Sequence, residues 1–120
     1  MLNTQKINFS NISNVPLIGG IYAIWLIDEC IYVGKSGELR KRISSHFNGG
    51  RGADQFCLYL FDSYIKTSLD GKGAEITKQL NNLTKEWARK KLTFTYTECE
   101  DYSFQENIFR KSMKPTLNPL

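Results

Sequence analysis

A β-hairpin is the feature of this sequence that most restricts its fold. Residues 21–28, IYAIWLID, and residues 30–35, CIYVGK, are rich in β-branched and aromatic side chains, which favour strands. Asp28 and Glu29 form the only polar break between the two runs. Strands joined by so short a connection pair antiparallel. The sequence therefore predicts an antiparallel sheet built on this hairpin.

The rest of the chain supplies one more strand and several helices. Residues 92–99, LTFTYTEC, alternate apolar side chains with threonine, the period of a half-buried strand. Helices are predicted where apolar residues recur every three or four positions, over residues 37–47, 53–67, 74–91 and 101–113. Of these, 53–67 also fits a buried strand, but its length favours a helix. The predicted fold is α+β, within the broad α/β class: a three-stranded antiparallel sheet, formed by the hairpin 21–35 and strand 92–99, flanked by helices, with strand 21–27 at its centre and a turn at 70–73.

Apolar spacing assigns a packed face to the last helix. Phe104, Ile108 and Met113 recur at near-helical intervals, and we expect them to face the core. Glu106 then lies at the boundary of that face, where an unpaired carboxylate is costly. Arg110, four residues further on, is its simplest surface partner.

Length and composition indicate one folded domain. The chain has 120 residues, 41% of them hydrophobic, enough to bury a core. We expect an N-terminal arm over residues 1–18 and the domain over 19–120. Cys30, Cys57 and Cys99 are widely spaced and form no CxxC pair, which favours reduced thiols over disulfides or a zinc site. No signal peptide or membrane-spanning run is seen, so we expect a cytoplasmic protein without a membrane partner.

The charge balance permits a nucleic-acid partner without requiring one. The chain has 16 Lys and Arg against 12 Asp and Glu, a net charge of +4, which is also common in proteins that bind no nucleic acid. Arg42 and His46 share one face of the first predicted helix, beside its apolar row. Lys35 follows Gly34 at a strand end, where a phosphate could approach bare backbone. Each position has an ordinary structural explanation when taken alone.

Together these positions match a known family. Gly20-Ile21-Tyr22 and Tyr32-Val33-Gly34 resemble the two tripeptides that give the GIY-YIG nucleases their name. The resemblance continues, in order, through Lys35, Arg42, His46, Glu106 and Asn118. It covers almost the whole chain from residue 19 onward. A second histidine that some members carry downstream of the first is absent.

The resemblance implies a metal-dependent DNA endonuclease that hydrolyses phosphodiester bonds, similar to the small restriction or phage-type enzymes. Glu106 would hold one divalent cation per active site, Mg²⁺ or Mn²⁺. Tyr22 would be the general base, with Tyr32 positioning the water or the phosphate. His46 would hydrogen-bond Tyr22 or relay its proton.

The resemblance gives the remaining positions supporting roles. Arg42 would grip the scissile phosphate. Lys35 would favour the phenolate of Tyr22, because a nearby cation stabilises the charged form. This help is needed because an unperturbed phenol has a pKa of about 10 and is a poor base at neutral pH. Asn118 would orient groups of the metal site or the substrate backbone. The chain carries one copy of this set of motif residues and so one active site. One protomer would therefore cut one strand, and a homodimer or higher homo-oligomer would make double-strand breaks.

Two alternatives belong to other classes of protein. A catalytically inactive GIY-YIG-fold module that only binds DNA is the main one, although a pure binding module does not need all these polar positions together. IYVGKS also resembles the first motif of RNA-recognition domains. That interpretation needs a second glycine-containing motif, and residues 92–99 contain no glycine.

Overall fold

The computed structural model describes residues 5–49, 55–65 and 77–119, without the side chains of 77–81. Its elements are β1 (Ile7–Asn8), a 3-10 helix (Phe9–Asn14), β2 (Gly20–Leu26), β3 (Glu29–Ser36), α1 (Leu39–Asn48), α2 (Gln55–Leu60) with a π-helical turn (Phe61–Ile65), α3 (Thr77–Lys91), β4 (Leu92–Glu98) and α4 (Tyr102–Met113). The α+β class is confirmed. The turn predicted at 70–73 lies outside the described residues. None of the helices in these ranges is both long and apolar enough to cross a membrane.

The sheet is antiparallel and contains four strands in the described residues, in the order β1-β4-β2-β3. The predicted hairpin and the predicted strand at 92–99 are both present, and β2 lies inside the sheet as its apolar sequence predicted. The fourth strand, β1, comes from the N-terminal segment. It has two residues, too few to show a periodic pattern in the sequence.

The hairpin contains two local irregularities. Ile27, in the turn, has a φ of 56° and is 77% exposed, an unfavourable combination for a β-branched residue. Pairing shifts by one residue after Ile24, since Ile24 is opposite Tyr32 while Trp25 is opposite Cys30. This β-bulge increases the local twist of the hairpin. Tyr22 and Tyr32 nevertheless lie on one face of the sheet. Tyr32 is directly opposite Ile24, and Ile24 shares a face with Tyr22 because side chains two residues apart in a strand point to the same side.

Each face of the sheet buries its own apolar cluster. On one face Tyr22 and Ile24 of β2 pack with Ile43 and Phe47 of α1. On the other face, residues Ile21, Ala23 and Val33 pack with side chains of α4. The two faces are therefore covered by different helices, α1 and its neighbours on one side and α4 on the other.

The packed face predicted for the last helix is wrong at two of its three positions. Phe104 and Ile108 are 63% and 51% exposed. The side chains of α4 that pack on the sheet are Tyr102, Phe109 and Met113. They recur at i, i+7 and i+11 and share one side of the helix, whereas Phe104 and Ile108 lie on the other side.

Candidate active site

Two tyrosines and a histidine meet on the α1 side of the sheet. Tyr22 and His46 are each 1% exposed, and the Tyr22 hydroxyl lies 2.5 Å from Nε2 of His46. Tyr32 is partly buried, with its ring centroid 6.3 Å from that of Tyr22 and 5.4 Å from that of His46. Phe56 of α2 completes the cluster, 5.0 Å from Tyr32 and 4.8 Å from His46. These three polar residues are ones that the sequence predicted for the site.

The position of His46 follows from the buried row of α1. Leu39, Ile43, His46 and Phe47 are the buried residues of this helix. His46 therefore lies within the apolar row, whereas the sequence placed it beside that row. A buried imidazole needs a hydrogen-bond partner, and Tyr22 of the central strand provides one.

Gly34 allows the ring of Tyr22 to lie across strand β3. The two residues are directly opposite in the hairpin. A Cβ at position 34 would overlap the Tyr22 hydroxyl and come within 2.8 Å of its Cε1, closer than real contacts allow. The Tyr22 ring therefore occupies the space beside Gly34 where we expected that a phosphate could approach the backbone.

Lys35 lies on the opposite face from the tyrosines. It pairs with Ile21, whose side chain packs on the α4 side. The Lys35 Nζ donates a hydrogen bond of 3.1 Å to the hydroxyl of Ser103 in α4. This cation is exposed and lies next to the first turn of α4, on the other side of the sheet from the Tyr22 hydroxyl whose phenolate it was expected to favour.

Glu106 belongs to the row of α4 that faces the sheet. It lies four residues after Tyr102 and three before Phe109, both of which pack on the sheet. Its side chain is 12% exposed, and its Oε1 is 3.7 Å from a terminal nitrogen of Arg110. Removing a carboxylate from water to this extent is costly unless a cation compensates its charge.

The C-terminal segment runs along the outer edge of β3. The backbone N–H groups of Thr116 and Leu117 donate to the carbonyls of Cys30 and Ile31, over 3.3 and 2.7 Å. Because β3 is an edge strand, this is where side chains from both faces of the sheet can approach one substrate. Tyr32 belongs to this strand, and α4, which carries Glu106, packs against it from the other face.

Asn118 extends this pairing with its side chain. Its Oδ1 accepts a hydrogen bond from Val33 N over 3.1 Å, and its Nδ2 donates to Val33 O over 2.6 Å. Its own backbone carbonyl accepts a hydrogen bond from Arg110 Nε over 2.6 Å. Asn118 therefore connects β3 to Arg110, which is the neighbour of Glu106.

Replacing Asn118 by Asp is expected to lower the free energy of unfolding by about 1–3 kcal/mol. A carboxylate can still accept from Val33 N, but it cannot donate to Val33 O. Urea unfolding at pH 7 measures the difference. Asn82→Asp, at an exposed position of α3, is the matched control and should stay within about 0.5 kcal/mol of the parent. Equal values for the two variants would contradict the role assigned to the Asn118 amide.

Arg42 lies on the exposed side of α1, one turn before His46. It lines an open hollow of about 210 Å³ with Ser36, Glu38, Lys41 and Ser45. Lys41 also forms an exposed ion pair with Glu38, 3.7 Å long. Two cations and two hydroxyls are groups that contact phosphodiester oxygens.

The oxygen donor of Glu106 suits Mg²⁺. In residues 5–49, 55–65 and 77–119, no three His, Cys, Asp or Glu side chains group closely enough to enclose a metal. Mg²⁺ does not need such a group, because it keeps several waters and binds one or two carboxylates together with substrate phosphates. The cysteines are poor alternatives: all are free, and burial raises the pKa of Cys30 to about 11, which disfavours its thiolate.

A family model described as the GIY-YIG catalytic domain matches residues 22–119. The chain belongs to the GIY-YIG family, as its two tripeptides predicted. Among curated proteins, UvrABC system protein C of Xanthomonas campestris is 32% identical over 100 residues, which cover 82% of this chain and 12% of that protein. The corresponding protein of Fervidobacterium nodosum is 28% identical over 79 residues, 66% of this chain and 14% of the relative. The chain thus spans only a small part of the length of these relatives.

Solved structures of the family are similar to this chain. The magnesium-bound N-terminal GIY-YIG endonuclease domain of UvrC from Thermotoga maritima matches with a TM-score of 0.48 and 18% identity, over 91% of this chain and 92% of that one. A mutant of bacteriophage T4 EndoII matches with a TM-score of 0.48 and 22% identity, over 98% of this chain and 90% of that one.

Proposed function

We propose that this chain is a metal-dependent DNA endonuclease that hydrolyses phosphodiester bonds. The observation that supports this most is the buried hydrogen bond between the Tyr22 hydroxyl and Nε2 of His46. An imidazole placed against a phenol can accept its proton, and this is how a weak acid is activated as a catalytic base. A second tyrosine, Tyr32, lies beside the pair at the strand edge.

In this proposal Tyr22 is the general base for the attacking water, and its proton is shared with His46. Tyr32 is more exposed than Tyr22 and positions the water or the phosphate at the edge of β3. Lys35 contributes positive charge near the start of α4. Asn118 holds Arg110 at the edge of β3.

Phosphate binding falls to Arg42 and the hollow that it lines. A guanidinium can contact two phosphate oxygens at once and neutralise charge that develops on them. Glu106 would hold one Mg²⁺ or Mn²⁺ per site. When bound, this cation would stabilise charge on the phosphoryl and leaving 3′ oxygens.

A plasmid assay tests the function directly. Supercoiled DNA incubated with the protein and MgCl₂ should be converted to open circles, and EDTA should stop the reaction. Because a protomer has one such site, a monomer should nick, and a homodimer is needed for a double-strand break in one encounter. DNA binding without cleavage in either MgCl₂ or MnCl₂ would instead support the inactive DNA-binding module.

A further inference from the structure

Glu106 has a fixed cation in the next turn of α4. The side chains of Arg110 and Glu106 are 25% and 12% exposed, and a terminal nitrogen of Arg110 lies 3.7 Å from Oε1 of Glu106. This distance is within ion-pair range but too long for a hydrogen bond. The contact therefore compensates the charge of the carboxylate without a directed bond to it.

The guanidinium is held in place by another part of the chain. Arg110 Nε donates to the carbonyl of Asn118 over 2.6 Å, and Asn118 is itself bonded twice to Val33 of β3. Arg110 is thus anchored to the edge of the sheet. This anchor is separate from the contact of Arg110 with Glu106.

We propose that Arg110 is a positioning residue that sets the metal affinity of the Glu106 site. The inference rests on the proposed function, in which Glu106 holds a divalent cation. Without the metal, the guanidinium compensates a carboxylate that is largely removed from water. When the metal is bound to this carboxylate, the guanidinium repels the metal cation, because like charges a few ångströms apart raise the energy of the bound state. Arg110 thus stabilises the empty site and weakens metal binding.

The test is a titration of the protein with MnCl₂ in the absence of DNA, with free Mn²⁺ followed by electron paramagnetic resonance. Arg110→Gln removes the charge and should bind Mn²⁺ roughly three- to tenfold more tightly than the parent. Arg110→Lys keeps the charge but loses the Nε donor that anchors it to Asn118, so its affinity should lie between those of the parent and Arg110→Gln. If Arg110→Gln does not fold, Arg110→Met is the second neutral variant.

Lys111→Gln is the matched control for net charge. Lys111 follows Arg110 directly, is exposed, and loses the same unit of charge in this variant. Its Mn²⁺ affinity should change by less than about twofold, because an exposed charge that does not face the site is screened.

Thermal unfolding with and without MnCl₂ separates this role from a merely structural one. Arg110→Gln should melt at a lower temperature than the parent without metal and gain more from Mn²⁺ than the parent does. A structural role alone predicts the same gain from Mn²⁺ in both proteins.

Glu106→Gln separates the two proposals. Parent-like Mn²⁺ binding by Glu106→Gln would contradict the metal site of the proposed function. If Glu106→Gln loses binding while Arg110→Gln binds as the parent does or more weakly, the role proposed for Arg110 is overturned and the Glu106 site stands.

Discussion

Tyr22→Phe is expected to fold and to cleave DNA more slowly than the parent by roughly two to four powers of ten, the usual contribution of a general base. The substitution keeps the ring that packs across Gly34 and removes only the hydroxyl. Since that hydroxyl is bonded to the buried imidazole of His46, the free energy of unfolding should also fall by about 1–3 kcal/mol. A purely structural tyrosine predicts this loss of stability without the loss of rate.

The measurement is the initial nicking rate on supercoiled plasmid at saturating MgCl₂, together with the melting temperature. Tyr59→Phe is the control, because Tyr59 is 37% exposed on α2 and should change neither quantity. A nicking rate of Tyr22→Phe near that of the parent would contradict the general-base role and leave Tyr22 with a structural role alone. A larger loss in Tyr32→Phe than in Tyr22→Phe would assign the base to Tyr32, the more exposed of the pair.

Glu106→Gln should remain folded and lose metal-dependent cleavage, by roughly two to three powers of ten or more. Glutamine has nearly the same shape, and a neutral group is less costly than a carboxylate at a position only 12% exposed. DNA affinity should survive or increase, because a negative charge beside the phosphates is removed while the Lys and Arg contacts remain.

Cleavage, DNA binding and thermal stability of Glu106→Gln are measured side by side. Glu86→Gln removes the same charge from an exposed position of α3 and should leave all three unchanged. If Glu106 is only the surface partner of Arg110, activity is unchanged and the stability loss stays below about 1 kcal/mol. Full activity in MgCl₂ would remove Glu106 from the site.

The hairpin and the cluster of tyrosines follow directly from the sequence. Strand patterning has a period of two, so a hairpin with Tyr22 and Tyr32 in its arms has few ways to place them. The tripeptides also predicted the family correctly. The burial of His46 was harder to predict from the sequence, because a lone polar residue beside an apolar row can be either buried within that row or exposed next to it.

Other features depend on tertiary contacts that leave no local pattern. Phe104 and Ile108 are spaced like core residues and yet are exposed, because Tyr102, Phe109 and Met113 lie on the side of α4 that packs on the sheet. Phe56, which contacts His46, lies in α2, a part of the chain that carries no motif residue. The anchoring of Arg110 by Asn118 depends on a backbone carbonyl, which has no sequence signature.

The C-terminal segment also decides how two copies of this chain can be joined. Exposed strand edges are the usual route by which sheets merge across a molecular boundary. Here Thr116, Leu117 and Asn118 already bond to the backbone of Cys30, Ile31 and Val33 at this edge. At the opposite edge, within the part of the chain that the structure describes, the two residues of β1 pair with β4. We therefore expect a double-strand-cutting pair to be held together by side chains and not by a merged sheet, so that surface substitutions can move its symmetry axis and leave the sheet intact.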